Sequence, residues 1–101
     1  MKPVTQINFL SIKPDKIDEF FEADRSYIAS ASLPKGLIGS RLYRSRDGKS
    51  IVRVSQYESA EAHKEYHQSE ALRQQIDRLR PFVESSSPTL NEELYTTGDF
   101  K

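Results

Sequence analysis

Hydrophobic positions alternate in some stretches of the chain and recur at helical spacing in others. Residues 4–12, VTQINFLSI, alternate, with Ile7 and Phe9 on one side and Gln6, Asn8 and Leu10 on the other. They read as a strand covered on both faces. Lys13-Pro14-Asp15 breaks that strand and caps a helix to about Ala29, where Ile17, Phe20, Phe21 and Ile28 share a stripe. Ser32-Leu33-Pro34-Lys35-Gly36 is a breaker. Residues 37–46 form a second strand, Asp47-Gly48 a two-residue hairpin turn, and residues 50–57 its antiparallel partner. Ile38 and Leu42, with Val52 and Val54, make an aliphatic face expected to meet the helices. Arg41, Tyr43, Arg53, Ser55 and Tyr57 make the opposite face.

Ser59 is the predicted N-cap of a helix from Ala60 to about His67, with Glu61 suiting the dipole in its first turn. Ser69 caps a second helix to Arg80, with Leu72, Gln75, Ile76, Leu79 and then Val83 as its buried stripe. Pro81 ends it. Ser85-Ser86-Ser87-Pro88 reads as a loop, residues 89–97 as a last strand, and Gly98 onward as a frayed tail.

This order predicts one α+β domain over residues 1–101, a ferredoxin-like βαββαβ antiparallel sheet with helices on one face. The expected open face carries Leu10, Tyr43, Ile51 and Tyr57 beside Gln6, Asn8, Arg41 and Arg53. That mixture is too apolar for water and too polar for a dry core. Two such sheets facing each other would resolve it, giving a homodimer, a dimeric α+β barrel with a lined cavity between the sheets.

Composition narrows the chemistry. There are no cysteines, which excludes disulfides, thiolate metal sites and cysteine nucleophiles. Fifteen basic and fifteen acidic residues cancel, and no basic stripe suggests nucleic acid. The N-terminal residues lack the apolar run of a signal peptide and no segment reaches membrane-spanning length, so a cytoplasmic protein is expected. His63 and His67 have metal-capable spacing, but His-Lys-Glu-Tyr-His is not the HExxH pattern and nothing dictates a third ligand, so no metal is assigned. His63 is instead a candidate general base, with an ordinary pKa of roughly 6.5. Arg53 and Tyr57, four apart on one strand, face the same way and with Asn8 and Arg41 would line one cavity.

The run Val54-Ser55-Gln56-Tyr57-Glu58-Ser59, continuing to Glu61-Ala62-His63, resembles the antibiotic biosynthesis monooxygenase family of dimeric α+β barrels. The glycine-containing start of the second strand, the Asp47-Gly48 hairpin and the segment Gln68-Ser69-Glu70 add to the resemblance, which covers nearly the whole chain. In the family's cofactor-independent oxygenases it implies a site built from the junction aromatic, here Tyr57 in place of tryptophan, and an arginine of the last helix, near Arg73. Arg53 stands where those enzymes have asparagine. In the haem-degrading branch Asn8 fits the asparagine of the first strand, Tyr66 replaces a tryptophan, and Ile76 falls where the haem-ligating histidine belongs.

The expected activity is therefore a monooxygenase needing no cofactor, acting on a small phenolic or hydroquinone-type substrate. Tyr57, Arg73 and His63 are its candidate catalytic residues; Asn8, Arg53, Arg41 and Tyr43 are its candidate substrate-binding residues. Such chemistry asks the protein for a donor to the phenolate oxygen, a cation and a dry pocket. The alternative is a dimer of the same fold that binds a small aromatic ligand without turning it over, with haem degradation behind both.

Overall fold

The computed structural model describes residues 2–30 and 33–100. Elements follow in the order β1 (Val4–Ile12), α1 (Ile17–Ser30), β2 (Leu37–Arg44), β3 (Ser50–Tyr57), α2 (Ala60–His67), α3 (Glu70–Leu79), a 3-10 turn (Arg80–Phe82) and β4 (Val83–Asn91). The strands form one antiparallel sheet in the order β2-β3-β1-β4, as a ferredoxin-like βαββαβ chain requires.

Local chemistry sets most boundaries. The Asp47 carboxylate accepts hydrogen bonds from the Ser45 hydroxyl and the Lys49 amide, at 2.6 and 3.0 Å, and Gly48 takes the positive φ of 76° that the hairpin needs. Ser59 and Ser69 cap α2 and α3 by accepting from the amides of Ala62 and Leu72. Gly36, at φ 85°, leads into β2, and its carbonyl accepts from the Glu58 amide at 2.8 Å. The backbone passes so close to α2 there that a Cβ at position 36 would lie 2.6 Å from the Cβ of Ala62.

The last strand departs from the sequence expectation. β4 begins at Val83, opposite Ile12, and the serine run lies within it, Ser87 opposite Phe9 and Pro88 opposite Asn8. Serine has little strand preference, so pairing with β1 decides the conformation. Pro88 is tolerated because β4 is an edge strand. Residues 92–97, expected to complete that strand, have no regular structure.

The faces of β1 and β3 are also the reverse of the expectation. The hairpin sets Leu42 opposite Arg53 and Ser40 opposite Ser55, not opposite the valines. Arg53, Ser55 and Tyr57 therefore lie on the helix side with Ile51, and across the sheet with Asn8, Gln6, Val4 and Leu10. Burial of the arginine is made tolerable by a carboxylate on α1, described below. Ile7, Phe9, Val52 and Val54 lie on the open face, where Phe9 is 57% exposed. Arg41 and Tyr43 lie there too, opposite Val54 and Val52.

The core fills one end of the helix–sheet interface. Ile12, Phe20 and Ile51 are buried together, with Leu10, Ile17, Leu42, Leu79, Phe82 and Val83 packed against them. Further along β3 the helix-facing residues turn polar, at Arg53 and Ser55, before ending on buried Tyr57. The core stops at that change and a cavity begins.

Candidate active site

The cavity has a volume of about 900 Å³ and lies between the helices and the sheet of one chain, not between two sheets. Gln6, Asn8, Arg53, Ser55 and Tyr57 line its floor from β1 and β3. Tyr66 and His67 of α2 and Leu72, Gln75, Ile76 and Leu79 of α3 form much of the opposite wall, joined by Tyr27 and Ile28 of α1. The volume falls in the range of small-molecule sites, and a mainly apolar wall with a few convergent polar groups is their usual chemistry.

Three polar arrangements define the site. In the first, Arg53 forms an ion pair with Asp24 of α1, Nη2 to Oδ1 at 2.5 Å, with the Asp24 side chain 2% exposed. The Gln75 amide nitrogen donates to the same oxygen at 3.3 Å, and the Tyr66 hydroxyl donates to the Gln75 carbonyl oxygen at 3.4 Å. One buried carboxylate thus ties together β3, α1, α3 and α2. A buried charge without such partners would cost several kcal/mol.

In the second, four rings gather at the strand-to-helix junction. His63 meets Tyr57 edge to face, with centroids 5.0 Å apart, and stacks on His67 at 4.0 Å, while Tyr66 lies 6.2 Å from Tyr57. Residues 63 and 67 are one helical turn apart, which brings their imidazoles together. Burial pushes the Tyr57 hydroxyl above its ordinary pKa, partly offset by the charge of Arg53, and pushes Tyr66 up to about 12. Both tyrosines therefore stay protonated. Burial also lowers both imidazoles, with the charge of His63 adding to the effect at His67. His63 Nε2 is buried without a hydrogen-bond partner among the described residues.

In the third, His67 Nε2 lies 3.1 Å from the Gln6 amide oxygen, and the Ser86 hydroxyl donates to Asn8 Oδ1 at 2.9 Å. Donation to an amide oxygen puts the proton of a neutral His67 on Nε2 and leaves Nδ1 as an acceptor. Among the described residues, the Tyr57 hydroxyl has no protein hydrogen-bond partner, which leaves it free for a ligand.

The candidate residues from the sequence divide. Asn8, Arg53 and Tyr57 line one cavity, and His63 touches Tyr57 from behind. Arg73 does not reach the cavity: its side chain is 71% exposed and pairs with Glu70 at 3.6 Å. Arg41 and Tyr43 are outside as well, on the open face of the sheet. Asp24 was absent from the sequence reading, although a signal exists. It stands four residues after Phe20 and four before Ile28, so a carboxylate occupies the apolar stripe and calls for a partner. Ile76 presents an aliphatic side chain to the cavity where haem ligation would need an imidazole. Among the described residues, no three His, Cys, Asp or Glu side chains come together as a metal site, and no helix is long and apolar enough to cross a membrane.

Comparison with known proteins settles the family. The family model for antibiotic biosynthesis monooxygenase matches residues 3–78. The chain belongs to the antibiotic biosynthesis monooxygenase family. No curated protein matches its sequence. Its fold recurs in Rv0793 from Mycobacterium tuberculosis, with TM-score 0.80 at 20% identity over 96% of this chain and 100% of that one. It recurs in a conserved protein from Methanosarcina mazei Go1, with TM-score 0.79 at 14% identity over 92% and 94% of the two chains. SnoaB, a cofactor-independent oxygenase from Streptomyces nogalater, gives TM-score 0.74 at 19% identity over 95% of this chain and 97% of that one. At these identities the likeness is one of fold. Within the family fold, this member sets Arg53 on the cavity wall, paired with the buried Asp24.

Proposed function

We propose that this chain is a cofactor-independent oxygenase that binds a small phenolic or hydroquinone-type substrate in the cavity between its helices and sheet. The observation that carries the reading is the free Tyr57 hydroxyl on the wall of a cavity of about 900 Å³ that also presents Arg53 and Asn8. Family membership and the oxygenase among the similar folds support it. A phenol with an open para position and dioxygen yield a quinone and water. The ring itself supplies the electrons that reduce the second oxygen atom, so no separate reductant is required. Tyr57 donates a hydrogen bond to the substrate oxygen as negative charge develops. His67 Nδ1 is the proton acceptor of choice, because its imidazole is held neutral. Arg53 adds less field than a free cation would, since Asp24 offsets its charge. The test is oxygen uptake with a panel of hydroquinones and naphthols. Wild type consumes oxygen with at least one member; Tyr57→Phe lowers kcat/KM by roughly tenfold or more, as loss of a transition-state donor does. No uptake across the panel overturns the reading.

The open sheet face, with Ile7, Phe9, Val52 and Val54 in its middle, supports a homodimer formed by two facing sheets. A second reading, a binding protein without turnover, draws on one observation. The one guanidinium of β3 on the cavity wall is already engaged by Asp24. Ligand binding without oxygen uptake would favour it.

A further inference from the structure

The Asp24 carboxylate orders the polar corner of the cavity in a way that fixes which hydrogen bond a ligand meets there. A carboxylate only accepts, so Gln75 must turn its Nε2 toward Asp24 Oδ1, as it does at 3.3 Å. That orientation aims Gln75 Oε1 at Tyr66, 3.4 Å away. An amide oxygen also only accepts, so the one proton of the Tyr66 hydroxyl is committed to Gln75. What remains on the Tyr66 oxygen is lone-pair density, on the wall of the cavity. A phenol of ordinary pKa 10 already holds its proton at neutral pH, and burial raises that value further, so the proton stays in this arrangement.

The geometry points to Tyr66 as a specificity residue that accepts a hydrogen bond from a ligand hydroxyl, with Asp24, acting through Gln75, as the positioning residue that holds it in the accepting sense. The ligand class is a neutral aromatic bearing a free hydroxyl. O-alkylated analogues have no proton to offer. This rests on the reading of the cavity as a ligand site, and it concerns recognition, not turnover. Tyr57 and Tyr66 thus act in opposite senses, the first as donor and the second as acceptor.

The test compares 1-naphthol with 1-methoxynaphthalene by isothermal titration calorimetry on the purified full chain. Wild type is expected to bind the naphthol roughly threefold to tenfold more tightly, the range of one net hydrogen bond. Tyr66→Phe removes the acceptor, so naphthol affinity falls to that of the ether and the ratio approaches one. In Asp24→Asn the new amide can donate to Gln75 Oε1, letting that side chain turn over and give its own proton to Tyr66. The freed hydroxyl then donates, and affinity for the ether rises. A purely structural role for Asp24 would weaken both probes alike. Equal affinities in wild type, a ratio that survives in Tyr66→Phe, or no binding of either probe overturns the inference. If Asp24→Asn does not fold, the Tyr66→Phe ratio decides alone. The binding ratio is independent of oxygen uptake: naphthol preference without uptake sinks the oxygenase reading and leaves this one standing.

Discussion

His63 meets the ring of Tyr57 edge-on, centroids 5.0 Å apart and planes at 89°, with its Nε2 buried. The contact joins the last residue of β3 to the first turn of α2 and makes the junction sensitive to acid. His63 and His67 both have pKa values lowered from 6.5 by burial. The unfolded chain therefore binds protons at a higher pH than the folded chain does. Stability is intact above about 6.5 and declines as the pH falls through the lowered values. Urea midpoints at pH 7.5 and 5.5 check this. His63→Phe keeps a ring against Tyr57 without the titrating nitrogen and should reduce the difference.

Removing one partner of the buried ion pair should be costly. Asp24→Ala leaves the Arg53 guanidinium unpaired and should lower stability by about 3–5 kcal/mol in chemical denaturation. Replacing both, with Asp24→Leu and Arg53→Met, should restore most of that loss. A double variant as unstable as the single one would show that the pair is not the cause.

The Ser59 hydroxyl accepts from the Ala62 amide at 3.1 Å and is 8% exposed. Ser59→Ala should cost about 1 kcal/mol, seen as a lower denaturation midpoint, and Ser59→Asp should recover most of it. The next residues, Ala60 to His67, carry three of the four junction rings, so the helical signal of the same variant should weaken before that of the sheet.

Dimerisation through the open face predicts that a charge in its middle separates the chains. Phe9→Lys places an ammonium on a side chain that is 57% exposed in one chain and would be covered in a pair. Sedimentation equilibrium at micromolar concentration should give two chains for wild type and one for the variant. A wild-type mass of one chain removes the dimer.

Much of the fold was legible in short-range chemistry. Asp47-Gly48, Ser59 and Ser69 fix a hairpin and two caps through groups a few residues away, and the structure uses all three. β4 was displaced because Ser85-Ser86-Ser87 carries no strand signal of its own; distant β1 supplies its partners. The site was half legible for a related reason. Both faces of β3 carry apolar residues, Ile51 and Tyr57 against Val52 and Val54, so alternation alone does not say which turns inward. The position of the turn did contain the answer: the structure closes it over residues 45–48 rather than as a two-residue turn, yet the register centred on Asp47-Gly48 is kept and places Leu42 beside Arg53. Arg73 followed from resemblance alone, and its distance from the cavity could not be read without the orientation of α3.

The near-contact of Gly36 with Ala62 carries a consequence for how the sequence can change. With φ at 85° and an added Cβ falling 2.6 Å from the Ala62 methyl, position 36 tolerates no side chain while position 62 keeps one. Enlarging residue 62 would press on the same backbone that receives the Glu58 amide, at the entrance to α2. Across evolutionary drift the two positions are unequal: trimming residue 62 would clear the space, but the φ at position 36 would still strain any side chain, so descendants that keep this junction should hold glycine at 36.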